Sequence, residues 1–375
     1  MNKLKADLKI ISADSHVFEP ADLWHDRLDA RFKDRAPRFI PNYQGQPGTY
    51  FVAEGVKPYR ISKIAALAVK PEDLPKFDDA SVNDLQMGGW DPAARLRDQE
   101  KDGLCAEVIY ATYSMILFGM QDTELQEACF RAYNDWLSEF CSHEPTRLIG
   151  LAQISIKNVD NAIKEMERCA TLGLRGAMIT AVPEEGIELS DARFTPLWRT
   201  AEELNFPISL HILTGSRTSY RRFDSSVFGT GFYMAIPHEL QLTMTDLVVR
   251  GVLERHPKLN FVLAEADIGW IPHFLERLDK GYLRYSHLNQ IFLEKKPSQY
   301  FQSQVYSTFI SDRVGVLTRD MAGIDTLMWS SDYPHTDSTW PNSRSVIDQN
   351  FQGVPNSDLL KMINGNVSRL YNIKL

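Results

Sequence analysis

An aspartate and a histidine separated by one residue, Asp14-Ser15-His16, end the apolar pair Ile10-Ile11 and stand where a strand would open onto a site. In a strand, residues i and i+2 point to the same side, so one carboxylate oxygen and one imidazole nitrogen there can reach a single cation. On its own the triplet reads more readily as a turn cap followed by a buried or surface histidine. Three later residues change that balance. His211 follows Pro207-Ile208-Ser209-Leu210, Glu265 follows the run 259–264, and Asp332 follows the run 326–331, each closing an apolar stretch with an oxygen or nitrogen donor. Taken singly, His211 is a core histidine and Asp332 a turn residue before Pro334. Taken together with Asp14 and His16, they are donors suited to zinc or manganese.

Such donors meet only if the intervening elements bring them to one place. The apolar runs near residues 10–16, 104–110, 148–154, 176–180, 207–211, 259–264, 304–308 and 326–331 read as eight short strands. Helical patterns are expected over Asp91 to Asp102, Thr123 to Ser142, Val159 to Leu172, Thr195 to Leu204, Glu239 to Arg255, Ile271 to Leu283, Asp312 to Met321 and Asn356 to Tyr371. Eight β-α units predict an α/β fold, a (β/α)₈ TIM barrel, in which all strand C-termini open on one face. A doubly wound sheet would want a glycine-rich phosphate turn, and neither GxGxxG nor GxxxxGKS occurs. Residues 1–375 are read as one domain. The irregular stretch 31–89 is an insertion after the first strand, near the mouth, with a small hairpin expected around Thr49 to Ile61.

Composition sets the remaining limits. A chain of 375 residues that is 43% hydrophobic and 24% charged can bury a large core. A net charge of -8 and scattered basic residues argue against nucleic-acid or anionic-membrane partners. The longest basic cluster, Arg217 with Arg221-Arg222, suits a single carboxylate or phosphate. No 18-residue apolar run occurs, so a cytoplasmic location is expected. Cys105, Cys129, Cys141 and Cys169 have no CxxC spacing and read as free thiols.

The pieces Asp14-Ser-His16-Val-Phe-Glu19-Pro20, Ser209-Leu-His211, Leu263-Ala-Glu265-Ala-Asp-Ile-Gly269-Trp270-Ile-Pro272 and Trp329-Ser-Ser-Asp332-Tyr333-Pro334-His335 span nearly the whole chain. With them the sequence resembles the amidohydrolase-related metal enzymes, in the group that includes the aminocarboxymuconate semialdehyde, γ-resorcylate and 5-carboxyvanillate decarboxylases. The resemblance implies that Asp14, His16, His211 and Asp332 ligate one divalent metal, zinc first and manganese second. The lysine that bridges two metals in dinuclear relatives is replaced by the ending Met178-Ile179-Thr180, which favours one metal. Where several relatives carry a catalytic histidine after the sixth strand, this chain has Glu265. The acid-base role then falls to Glu265, His238 or His335, with Glu265 expected to be ionised and to act mainly by orienting a ligand or water. Relatives are commonly dimers or tetramers, so a homodimer or homotetramer is expected.

The implied reaction is a metal-dependent, non-oxidative decarboxylation of a small aromatic or unsaturated carboxylic acid, with Asp332 as first candidate for the proton donor. The alternative is hydrolysis of an amide, ester or lactone by the same residues, with Asp332 as the base of a metal-bound water. A metal-free scaffold is the reading that would hold if the donors did not converge. A two-carboxylate glycosidase would need acids after the fourth and seventh strands, which end at Thr180 and Thr308. The loop from Thr214 to Ala235 is expected to roof the site with the insertion. Trp24, Phe228, Phe232 and Tyr233 would line an apolar pocket, and Arg217 or Arg221 would meet the substrate acid. Those aromatics read almost as well as packing for a subunit interface.

Overall fold

A computed structural model of the chain describes residues 8–215 and 228–374. Eight parallel strands run in chain order around one axis: Ile11–His16, Ala106–Tyr110, Leu148–Gly150 continued by Ala152–Gln153, Ala177–Ile179, Ile208–His211, Phe261–Ala264, Val305–Phe309 and Leu327–Trp329. Each pairs in parallel with the next. The ring closes where Asp332 N donates to Asp14 O (3.0 Å) and His16 N to Tyr333 O (2.5 Å). This is a (β/α)₈ barrel, and closure leaves no barrel strand with an open edge.

The strands are short, apolar and buried along their whole length because helices cover them outside and side chains fill them inside. Four expected helices, Pro92–Asp102, Thr123–Ser142, Val159–Thr171 and Thr195–Leu204, have the expected bounds to within one residue. Pro92–Asp102 starts at Asp91, whose side chain accepts from Ala94 N, and stops at Gly103, which takes φ +75°. Thr123–Ser142 buries Cys129, Tyr133, Trp136, Leu137 and Phe140 on one stripe.

Elsewhere the structure corrects the expected bounds. The helix expected over Glu239 to Arg255 is two, Pro237–Val249 and Val252–Arg255, because Gly251 turns to φ +73° between them. Asp312 to Met321 likewise divides into Arg313–Leu317 and Arg319–Ala322, while Ile271–Asn289 runs past Leu283. Helices Pro297–Gln304 and Ser343–Asn350 were not anticipated; both are eight residues long, too short to give a clear apolar period. The segment expected as a loop from Thr214 to Ala235 ends in the helix Phe228–Ala235.

The stretch after the first strand holds short 3₁₀ turns and an antiparallel sheet of Arg38–Pro41, Thr49–Val52 and Tyr59–Arg60, so the expected hairpin is the second half of a three-stranded unit. It touches the C-terminal side of the barrel: Thr336 N donates to Ile64 O (2.8 Å), and Phe39 and Phe51 pack on Tyr113. No helix among the described residues is long and apolar enough to cross a membrane.

Candidate metal centre

Asp14 and His16 leave the first strand on the same side, Asp14 within and His16 just past a register shift against the second strand between Ser12 and Ser15. Asp14 Oδ1 stands 3.4 Å from His16 Nε2, and Asp332 Oδ1 stands 3.4 Å from the same nitrogen. His211, at the end of the fifth strand, brings Nε2 to 3.3 Å from His16 Nε2 and 3.8 Å from Asp14 Oδ1. Glu265 Oε2 is 3.7 Å from His211 Nε2, and His335 Nδ1 is 2.9 Å from Asp332 Oδ1. Donor atoms held at about 2.1 Å from one cation stand roughly 3.0–3.5 Å from each other, the spacing this cluster approaches.

The backbone decides which nitrogen faces inward. His16 Nδ1 is 2.6 Å from Ala111 O, and His211 Nδ1 is 2.8 Å from Ile212 O. A carbonyl only accepts, so each Nδ1 carries the proton and each Nε2 presents a bare lone pair. Burial pushes both imidazoles down to about 4, so they are neutral at neutral pH. Two lone pairs 3.3 Å apart, facing carboxylates, repel unless a positive charge lies among them. Two of those carboxylate oxygens, Asp14 Oδ1 and Asp332 Oδ1, are buried and receive no hydrogen bond, the latter despite its nearness to His335. A divalent cation answers all of these unmet demands, so the residues present fit the group.

Positions off the ordinary backbone regions aim several donors. Glu265 and Asp332 take φ +56° and +54°, left-handed values that non-glycine residues adopt at some cost and that concentrate at functional sites. Thr308, at the end of the seventh strand, donates from Oγ1 to Asp14 Oδ2 (2.9 Å) and accepts from Glu265 N (2.8 Å). Composition held no signal for it: a threonine closing an apolar run is what any strand offers. Nor did it mark the support under the first strand, where Ser15 Oγ reaches Glu107 (3.0 Å) and Arg95, fully buried, joins Glu107 Oε2 (2.6 Å) to His16 O (2.7 Å).

With no cation present, burial first, then the neighbouring carboxylates, raises Glu265 and Asp332 well above the usual acid range. Beside a divalent cation the charged form of Glu265 is favoured, which is the condition under which it is expected to be ionised. Burial also raises Asp14, but His16, His211 and Thr308 outweigh it and its net shift is downward.

Asp14, His16, His211, Glu265, Asp332 and His335 thus come together from the first, fifth, sixth and eighth strands. Others do not. His238 is exposed at the start of Pro237–Val249, bonds Ala235 O (3.2 Å), and lines an outer groove with Trp270, His273 and Arg277. It is removed from the acid-base candidates because it belongs to that outer face. Trp24 is fully buried against Phe51, with its indole N–H on Cys129 O (3.2 Å), so it packs the core rather than lining a substrate pocket. Arg217 and Arg221 lie outside the described residues, as do the side chains of Phe228 and Phe232. Tyr233 is exposed and donates to Asp337 Oδ2 (2.8 Å), a link from Phe228–Ala235 to the segment after the eighth strand.

Fold and site together define a divalent-metal enzyme built on a (β/α)₈ barrel. The chain belongs to the amidohydrolase family, whose pattern matches residues 65–373. It is 24% identical over 256 residues to a γ-resorcylate decarboxylase of Rhizobium sp. (strain MTP-10005), covering 65% of this chain and 76% of that protein. An amidohydrolase of Mycobacterium avium subsp. paratuberculosis has a similar structure, with TM-score 0.79, 20% identity and coverage of 97% of this chain and 99% of that one. So does a dihydroxybenzoic acid decarboxylase of Polaromonas sp. JS666 with bound manganese and 2-nitroresorcinol, at TM-score 0.66, 18% identity and 97% coverage of both chains.

Proposed function

We propose that this protein is a metal-dependent carboxy-lyase that removes CO₂, without oxidation, from a small aromatic acid bearing a hydroxyl next to its carboxylate. The observation that carries the metal is the pair of bare imidazole nitrogens 3.3 Å apart beside two carboxylate oxygens that receive no hydrogen bond. The choice of decarboxylation is supported by the relatives, which are named for that reaction on hydroxybenzoates. Asp14, His16, His211 and Asp332 hold the cation in this reading, with Glu265 on its open side. Zinc suits the two imidazoles. The carboxylates of Asp14 and Asp332 with Glu265 beside them, and the manganese of the Polaromonas protein, favour manganese.

A bound divalent cation supplies a Lewis acid for the substrate carboxylate and the neighbouring oxygen. The chain must then deliver one proton to the ring carbon as its bond to the carboxylate breaks, the electron pair remaining on carbon and CO₂ leaving. Asp332 is the acid we assign to that transfer. His335 is less suited, because Nε2 is engaged by Thr112 Oγ1 (2.8 Å) and Nδ1 faces Asp332 Oδ1 (2.9 Å). In this reading the insertion 31–89, which touches Thr336 and Tyr113, covers the mouth. Self-association into a homodimer or homotetramer is supported by the exposed Leu242, Leu283, Leu288 and Phe292.

The test is CO₂ release from 2,6-dihydroxybenzoate and 5-carboxyvanillate by the manganese-loaded protein. Turnover that stops with a chelator and returns with manganese is expected. A loaded protein that leaves both acids intact but opens a lactone or amide would instead be a hydrolase.

A further inference from the structure

Glu19 is a buried acid that the reaction leaves unused. It is 3% exposed, and its carboxylate accepts from three successive amides, Thr112 N (3.2 Å), Tyr113 N (2.9 Å) and Ser114 N (2.9 Å), with Ser114 Oγ at 2.6 Å. A carboxylate is kept this deep only where donors satisfy it, and consecutive amides curled around one anion are such an arrangement. Its effect is to clamp the turn after the second strand to the segment that leaves the first.

That turn touches both rings on one side of the metal centre. Ala111 O receives the Nδ1 proton of His16 (2.6 Å), and Thr112 Oγ1 lies 2.8 Å from His335 Nε2. The two rings stack on each other at 3.9 Å between centroids and 28° between planes. Two consecutive residues, anchored by one carboxylate, therefore set the orientation of the pair.

We infer that Glu19 is a positioning residue for the metal centre, holding His16 through Ala111 and His335 through Thr112. The inference rests on the metal reading above. Groups that orient metal ligands in this way are worth about 10–100-fold in metal affinity or activity.

The experiment titrates Mn²⁺ into metal-free wild type, Glu19→Gln, Thr112→Val and Thr112→Ser, and records the ring-nitrogen NMR signals of His16 and His335 before metal is added. Glu19→Gln turns an amide N–H₂ toward the turn's own donors, and Thr112→Val removes the hydroxyl. Glu19→Gln is expected to bind Mn²⁺ about 10–100-fold more weakly, whereas Thr112→Val, which reaches only His335, is expected to keep most of the affinity. Signals of both rings should move in the first and of His335 in the second, whereas Thr112→Ser, which keeps the hydroxyl, should match wild type. Wild-type affinity in Glu19→Gln with unmoved signals in both variants overturns the inference. Should Glu19→Gln not fold, Glu19→Asp, which keeps the charge but shortens its reach to the three amides, decides by the same readouts. Should wild type bind no Mn²⁺, it is the metal reading that fails, and the ring signals still decide whether Glu19 and Thr112 set the two imidazoles.

Discussion

At the scale of single residues, the site is decided by which buried atoms find no donor among the described residues. Asp14 Oδ2 has Thr308, whereas Asp14 Oδ1 and Asp332 Oδ1 face the two Nε2 atoms without a donor. Glu265, expected to orient a ligand or water, stands as near to His211 (3.7 Å) as Asp14 does (3.8 Å), with its side chain 23% exposed. Glu265→Gln keeps the shape and removes one negative charge from the donor set. Mn²⁺ affinity should fall about 10–100-fold, while kcat at saturating metal stays within a few-fold of wild type. A collapse of kcat with metal fully bound would make Glu265 the proton carrier in place of Asp332.

At the scale of elements, barrel closure and helix ends do the positioning. The helix Pro92–Asp102 carries Arg95 under the first strand, and its last residue, Asp102, accepts from Ser343 N (2.9 Å) and Ser343 Oγ (2.5 Å) at the start of Ser343–Asn350. Burial pushes the Asp102 carboxyl from its ordinary 3.8 up to about 6, although Ser343 pulls it down, and an acid at a helix C-terminus faces the negative end of the dipole. The folded state therefore holds this proton more tightly than the unfolded chain. The stabilisation is fully present below about pH 4 and is lost as pH rises through about 6, on the order of 3 kcal/mol across that window. Asp102→Asn should flatten the pH dependence of denaturant unfolding between about pH 4 and 6 relative to wild type. An unchanged slope would mean that Asp102 titrates in the folded protein as it does in the unfolded chain.

At the scale of the whole molecule, a barrel whose mouth gathers Asp14, Glu265, Asp267, Asp332 and Asp337 repels itself when no cation is bound. Asp267 shows the strain outside the donor set: burial, then Asp312 and Asp337, raise it to about 7. A metal that binds only the folded state adds RT ln(1 + [L]/Kd), about 2.7 kcal/mol at a hundredfold excess over Kd. Melting of wild type should therefore rise by a few degrees with Mn²⁺ and fall back with chelator. His211→Ala should still unfold cooperatively and show no metal-dependent shift. Identical melts of wild type with and without Mn²⁺ would remove the cation from the folded state.

Local pattern determined the class of fold and which candidate donors stand at its strand ends. Strand-length apolar runs ending in Asp14, His16, His211, Glu265 and Asp332 are written in consecutive residues, because a strand's alternation and a helix's period are local properties. The family motifs lie on those same strand ends. Tertiary structure alone decided what surrounds them. The carbonyls of Ala111 and Ile212 that choose each imidazole's inward nitrogen, the hydroxyls of Thr308 and Thr112, and the Glu19 and Arg95 supports act across as many as 294 positions of sequence, as Thr308 does on Asp14. Residue type does not reveal such partners: a carbonyl is offered by every residue, and a threonine on a strand is ordinary. The same holds for Trp24 and His238, an aromatic and a histidine whose types suited a site and whose burial and exposure put them in the core and on the outer face. Chemistry that depends on which side chains are present was legible in the chain. Chemistry that depends on which lone pair of His16 points inward exists only once the turn after the second strand lies against the end of the first.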